Sequence, residues 1–175
     1  HIGCVVDSFY NQFNLEIAKE RIAKLRDYTL KYCKQFGVRK LHILNLGDLI
    51  EGEIHTTARV TNEMDTIGQI KQASELLSQF VVDIASEVEQ VCYRSIADNH
   101  SRVIQNYKEN LDGDSFVYLI DWILEMKLQL AGVTNVELCF DNLSDNFGLF
   151  CLDCGKQVGF SHGHRQNVNT AFQSF

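Results

Sequence analysis

Long amphipathic helices alternate with short apolar runs along this chain, and that alternation leaves few architectures open to it. Asn14 stands as an N-cap before a stripe of Ala18, Ile22, Leu25 and Cys33 that closes at Gly37. Residues 40–46 form a compact run of the kind that makes a buried strand, stopping at Gly47-Asp48. After a polar stretch over 51–62, Ile67, Ile70, Ala73, Leu77, Phe80, Ile84 and Val88 recur at helical spacing, the core face of a second helix. Residues 91–97 predict another strand, ending at Asp98-Asn99-His100, and a third helix is expected over 114–130, closed by Gly132. The rest reads as strands at 135–140, 147–153 and 157–161, with Gly155 turning the last two into a hairpin. The start, from Ile2 to Val6, reads as the tail of a strand or the loop just after one. This order predicts an α/β fold, one domain over 1–175, whose first strands are parallel and joined by right-handed crossovers.

Composition narrows the setting. No stretch reaches the ~20 apolar residues of a membrane helix, so no membrane span is expected. The formal net charge of −7 argues against a globally basic nucleic-acid binder. It leaves room for a nucleic-acid enzyme, because bound divalent cations reverse the field at a carboxylate-rich site. Cys4, Cys33, Cys92, Cys139, Cys151 and Cys154 fall mostly in apolar runs, where reduced cysteine acts as a small hydrophobe. A cytoplasmic, reducing location is the expectation. Cys151-Leu152-Asp153-Cys154 has no second pair to complete a zinc ribbon and reads as a strand end or hairpin. Opening at His1 with no start methionine or signal-like segment, the chain is expected to be an excerpt of a longer protein.

The ends of the predicted strands carry the chemistry. In an open α/β sheet, ligands gather at the carboxyl ends of the strands. Here those ends hold Asp48, then Asn99 and His100, then His162 and His164, with His1 just ahead of Ile2. Taken singly, Gly47-Asp48 is a turn signal, and Asn99-His100 is as readily a turn with a surface imidazole. Two imidazoles flanking Gly163 at a strand end suit a metal, and a solvated loop is the competing reading. His42, inside an apolar run, is expected to be a satisfied core histidine, and His55 to be solvent-exposed. Arg59 and Arg102 could clamp phosphate, since guanidinium matches its geometry, or could simply face solvent.

Taken together, Gly47-Asp48-Leu49-Ile50-Glu51-Gly52, Asn99-His100 and Ser161-His162-Gly163-His164 resemble the calcineurin-like metallophosphoesterase superfamily. That family's motifs run Asp-x-His, Gly-Asp-x-x-Asp/Glu, Gly-Asn-His-Asp/Glu, a lone His and Gly-His-x-His. His1-Ile2-Gly3, followed by the segment from Phe13 to Arg21, is similar to the start of phage-type and DNA-repair-nuclease-like members. Two departures stand out: Asp98 replaces the glycine before Asn99, and Ser101-Arg102 replaces the acidic residue after His100. The resemblance implies a layered sandwich of two β-sheets flanked by helices, incomplete at both ends. It implies two divalent metals (Mn²⁺, with Fe or Zn²⁺ also suited) bridged by Asp48, with Asn99 and His162 on one ion. His1, with an aspartate preceding it, would hold the other ion. His162 fits the lone histidine, with the final His-x-His beyond Phe175; alternatively His162 and His164 are that final pair. His100 would protonate the leaving oxygen while a metal-bound hydroxide attacks phosphorus. The implied substrate is a phosphodiester, DNA foremost, with a small-molecule phosphoester or a metal-free scaffold as the competing readings.

Overall fold

A computed structural model describes residues 1–111, 113–144 and 146–164. Its centre is a three-stranded parallel sheet ordered β3-β4-β5, formed by Lys40–Asn45 (β3), Gln90–Ser95 (β4) and Val136–Cys139 (β5). Lys40 pairs with Gln90 and Val91 with Val136, so β3 and β4 leave the sheet together at Asn45 and Ser95. Ahead of the sheet come Val6–Asp7 (β1), Gln12–Phe13 (β2) and the helix Leu15–Phe36 (α1). Thr56–Thr61 (α2) and Thr66–Ala85 (α3) connect β3 to β4, and Phe116–Leu130 (α4) connects β4 to β5. Phe147–Cys151 (β6) and Gln157–Ser161 (β7) form an antiparallel hairpin.

Successive strand residues point to opposite faces, which sorts this sheet into two environments. Leu41, Ile43, Val91, Tyr93, Val136 and Leu138 face the helices, where Cys33, Val81, Ile84, Leu124 and Leu128 close over them. The opposite face carries His42 and Arg94, and the β6–β7 hairpin lies on it through Phe150: the His42 ring stacks at 4.8 Å and the Arg94 guanidinium at 4.6 Å. The architecture is therefore mixed α/β, with helices on one face of the parallel sheet and a hairpin on the other.

The helix ends follow local chemistry. Asn14 accepts from the Ile17 amide and Gly37 closes α1, as the sequence predicts. Asp65 and Ser115 cap α3 and α4 in the same way, each accepting an amide of the first turn. The third helix thus starts after Ser115 rather than at Asp114.

Two short elements depart from the sequence reading. Helix α2 rises inside the polar stretch, and β1 and β2 form a hairpin whose tip leaves Phe9 and Tyr10 95% and 93% exposed. Elements of six and two residues are too short to carry a hydrophobic period. The expected satisfied core histidine also needs correction. His42 is partly buried, but its Nδ1 has no hydrogen-bond partner. Burial, and then the Lys40 and Arg94 charges, lower its pKa from the ordinary 6.5. All six cysteines are free thiols, with Cys151 and Cys154 exposed. Among the described residues no helix is long and apolar enough to cross a membrane.

Candidate functional site

The carboxyl edge of the parallel sheet gathers residues from four distant segments. Asp48 follows β3, Asn99 and His100 follow β4, and His162 follows β7. His1 is brought in by a parallel bridge between Ile2 and Ile50, with Ile2 N donating to Leu49 O at 2.9 Å and Glu51 N to Ile2 O at 3.0 Å.

Glycines without side chains let these loops close on one another. At Gly47 (φ 94°) a Cβ would overlap the Asp98 side chain, and at Gly52 (φ 65°) it would overlap the His100 carbonyl oxygen. Both positions therefore need glycine for its backbone and for its lack of volume. Asp48 itself has φ 56°, and it alone among described non-glycine residues has a positive φ. Holding a non-glycine residue there costs on the order of 1–3 kcal/mol, a strain that clusters at working sites.

Three imidazoles share one arrangement. His1 Nδ1 lies 2.8 Å from Glu51 Oε2, His100 Nδ1 2.9 Å from the Glu51 carbonyl oxygen, and His162 Nδ1 2.8 Å from the Leu46 carbonyl oxygen. Carbonyl and carboxylate oxygens accept, so each Nδ1 is the donor. In a neutral ring that leaves Nε2 as the nitrogen with the lone pair, and anchoring the far nitrogen in this way is how metal-ligating histidines are oriented.

What these Nε2 atoms meet is unusual. His162 Nε2 lies 2.7 Å from Asn99 Oδ1 and 3.5 Å from Asp48 Oδ1, while His1 Nε2 lies 3.3 Å from Asp48 Oδ2. The 3.5 Å approach has ion-pair distance without hydrogen-bond geometry, and Asp48 Oδ1 is a buried oxygen with no hydrogen bond. Lone pairs on nitrogen, amide oxygen and carboxylate thus point at one another. A proton on Nε2, an Asn99 amide turned to present Nδ2, or a metal cation makes such contacts favourable. The donors are imidazole nitrogen and oxygen, a set suited to Mn, Fe or Zn ions, so the residues present fit a bound cation.

His100 stands beside this centre. Ligand atoms of His1, Asp48 and His100 all lie within 4.8 Å of one another, and the His1 and His100 rings meet edge to face at 4.6 Å. His164 is exposed, with its ring 5.1 Å from that of His162, and shares a small cavity with Asp98 and Arg102. Arg102 places its guanidinium 5.5 Å from the Tyr107 ring and has a buried, unpartnered Nε. Arg59 falls within α2, but its side chain lies outside the described residues. His55 is exposed, as expected, with its ring 5.5 Å from that of His100.

Glu51 is a site residue that the sequence reading did not single out. Its carboxylate orients His1 and its carbonyl orients His100. The available signal was its place at the end of Gly-Asp-x-x-Glu, three residues beyond Asp48. Compared with protein-family models, curated proteins and solved structures, the chain matches none.

Proposed function

We propose that this chain carries the catalytic centre of a metal-dependent phosphoesterase of the calcineurin-like type, acting on phosphodiesters. The observation that carries the reading is the division of Asp48: Oδ2 faces His1 Nε2, while Oδ1 faces His162 Nε2 beside Asn99 Oδ1. One carboxylate addressing two sets of lone pairs is what a pair of cations ~3.5–4 Å apart needs as a bridge. His1 and Asp48 would hold one ion, and Asp48, Asn99 and His162 the other. Divalent ions held there would generate a nucleophile from water near neutral pH and neutralise the phosphate oxygens.

The protein's own groups do the rest. Glu51 and Leu46 lock the imidazoles, so the ligand nitrogens are in place before substrate arrives. His100, with Nδ1 committed to the Glu51 carbonyl, has Nε2 as the atom that can carry a proton to a leaving oxygen. The layered α/β sandwich of the family is the corresponding fold proposal; helices and a hairpin on opposite faces of a parallel sheet support it.

Nucleic acid is the favoured substrate class. The hairpin that follows His1 by a few residues presents Phe9 and Tyr10 to solvent, flat faces on which bases can stack. With a net charge of −7, affinity would rest on bound cations and stacking rather than on a basic surface. The test is hydrolysis of linear DNA against bis(p-nitrophenyl) phosphate with added Mn²⁺. Mn²⁺-dependent cleavage that disappears in Asp48→Asn supports the reading. Cleavage of the small diester alone moves the substrate to small molecules, and cleavage of neither, with no Mn²⁺ bound, overturns it.

A further inference from the structure

Beneath the Asp48 loop runs a buried chain of hydrogen bonds that reaches helix α4. Tyr93 Oη donates to Asp121 Oδ1 at 2.8 Å; Asn45 Nδ2 donates to Tyr93 Oη at 3.0 Å and to Ser95 Oγ at 2.9 Å. Asn45 Oδ1 in turn accepts from the Gly47 amide at 3.1 Å, and the Asn45 carbonyl accepts from Ile96 N at 3.1 Å. Asn45, Tyr93, Ser95 and Asp121 are all buried.

The chain has a direction. Asp121 Oδ1 accepts, so the single hydroxyl proton of Tyr93 is spent on it. The Tyr93 oxygen can then only accept from Asn45, which turns Nδ2 toward the core and Oδ1 toward the loop. That oxygen holds the Gly47 amide, one residue before Asp48 and one after Leu46, whose carbonyl anchors His162. We infer that Asn45 is a positioning residue for the Asp48 loop, and that Asp121, through Tyr93, fixes which way its amide points.

The consequence for metal affinity rests on the phosphoesterase reading, whereas the consequence for the loop does not. Partners that orient ligands are worth roughly 10–100-fold in metal affinity. Asp121→Asn keeps an acceptor for Tyr93, Asp121→Leu removes it, and Tyr93→Phe breaks the chain in the middle. Leu128→Ala, in the same apolar cluster as Tyr93, is the control for lost stability alone.

Two readouts are taken on the intact protein: exchange of the Gly47 amide proton by NMR without metal, and Mn²⁺ affinity by EPR titration. Tyr93→Phe and Asp121→Leu are expected to speed Gly47 exchange and weaken Mn²⁺ binding about tenfold. Asp121→Asn should behave as wild type in both, and Leu128→Ala should lower Tm without moving either. Unchanged Gly47 exchange in Tyr93→Phe overturns the inference, as does Leu128→Ala matching Tyr93→Phe at equal loss of Tm. Should Asp121→Leu fail to fold, Tyr93→Phe against Leu128→Ala decides. A wild type that binds no Mn²⁺ removes the phosphoesterase reading, while Gly47 exchange still tests the positioning role.

Discussion

The two ends of the parallel sheet are both crowded with polar groups, and they solve that crowding in opposite ways. At the amino end a cavity of about 630 Å³ is lined by Arg39, Lys40, Glu89, Glu137 and Asp153. There opposite charges meet: Arg39 pairs with Glu89 at 2.8 Å and Lys40 with Asp153 at 2.9 Å. Each cation there has a carboxylate partner, so its charges meet as matched pairs. At the carboxyl end, with neutral imidazoles, Asp48, Asn99, His1 and His162 direct acceptors at acceptors over 2.7–3.5 Å. The contrast lies in whether donors and acceptors are matched, and it is the mismatch at the carboxyl end that points to a ligand.

Of the carboxyl-end residues, Asp48 is expected to give the largest effect on substitution. Asp48→Asn should abolish Mn²⁺-dependent hydrolysis, by more than about 100-fold, and lose bound metal. His100→Ala comes next, with turnover expected to fall ~10²–10⁴-fold while metal remains, as for a lost proton donor. Its nearness to His1 and Asp48 sharpens the point, since metal lost along with turnover would make His100 a ligand instead. Glu51→Ala, read out as Mn²⁺ affinity, should cost about tenfold by releasing His1, while the backbone carbonyl that orients His100 stays in place; Glu51→Gln should cost less because it keeps an acceptor.

A smaller effect concerns stability and pH at the buried support beneath the site. Burial raises the Asp121 carboxyl from its ordinary 3.8 to about 6, offset in part by hydrogen bonds from Tyr93 and Ser95. The folded-state value lies above the unfolded one, so the folded protein holds the extra proton between them. Stability therefore falls as pH rises from about 4 to about 6 and stays at the lower level above that. Asp121→Asn lacks this loss. Its stability relative to wild type should improve by roughly 2–3 kcal/mol between pH 4 and pH 7.5, measured by denaturant unfolding. A flat difference across that range would show that Asp121 does not titrate this way. The least effect is expected at the amino end: Glu89→Gln removes an exposed ion pair and should leave Tm and Mn²⁺ binding unchanged.

Much of this was legible in the sequence because it rests on periodicity and caps. The helix from Asn14 to Gly37 and the strands ending near Asp48 and Asn99 follow from local spacing, and the structure has them within a residue or two of the expected ends. Convergence of Asp48 with Asn99 and His100 was also readable, since parallel strands carry their carboxyl ends to the same side, whereas His162 arrives from a separate antiparallel hairpin and His1 from an isolated bridge. What was not readable is contact across the chain. Glu51 orienting His1 spans fifty residues, and Asp121 reaching the Asp48 loop passes through Tyr93 and Asn45. Neither leaves a local pattern, because such partners are chosen by packing rather than by spacing. His42 misled for the same reason: an apolar neighbourhood signals burial, but not whether the ring finds a hydrogen-bond partner.

Whether the lone pairs around Asp48 are arranged for cations is read out by a Mn²⁺ titration of the metal-free intact protein, followed by EPR. Saturable binding of two ions per chain is expected, coupled to one another and lost together in Asp48→Asn. No binding, or binding that Asp48→Asn leaves intact, would contradict it.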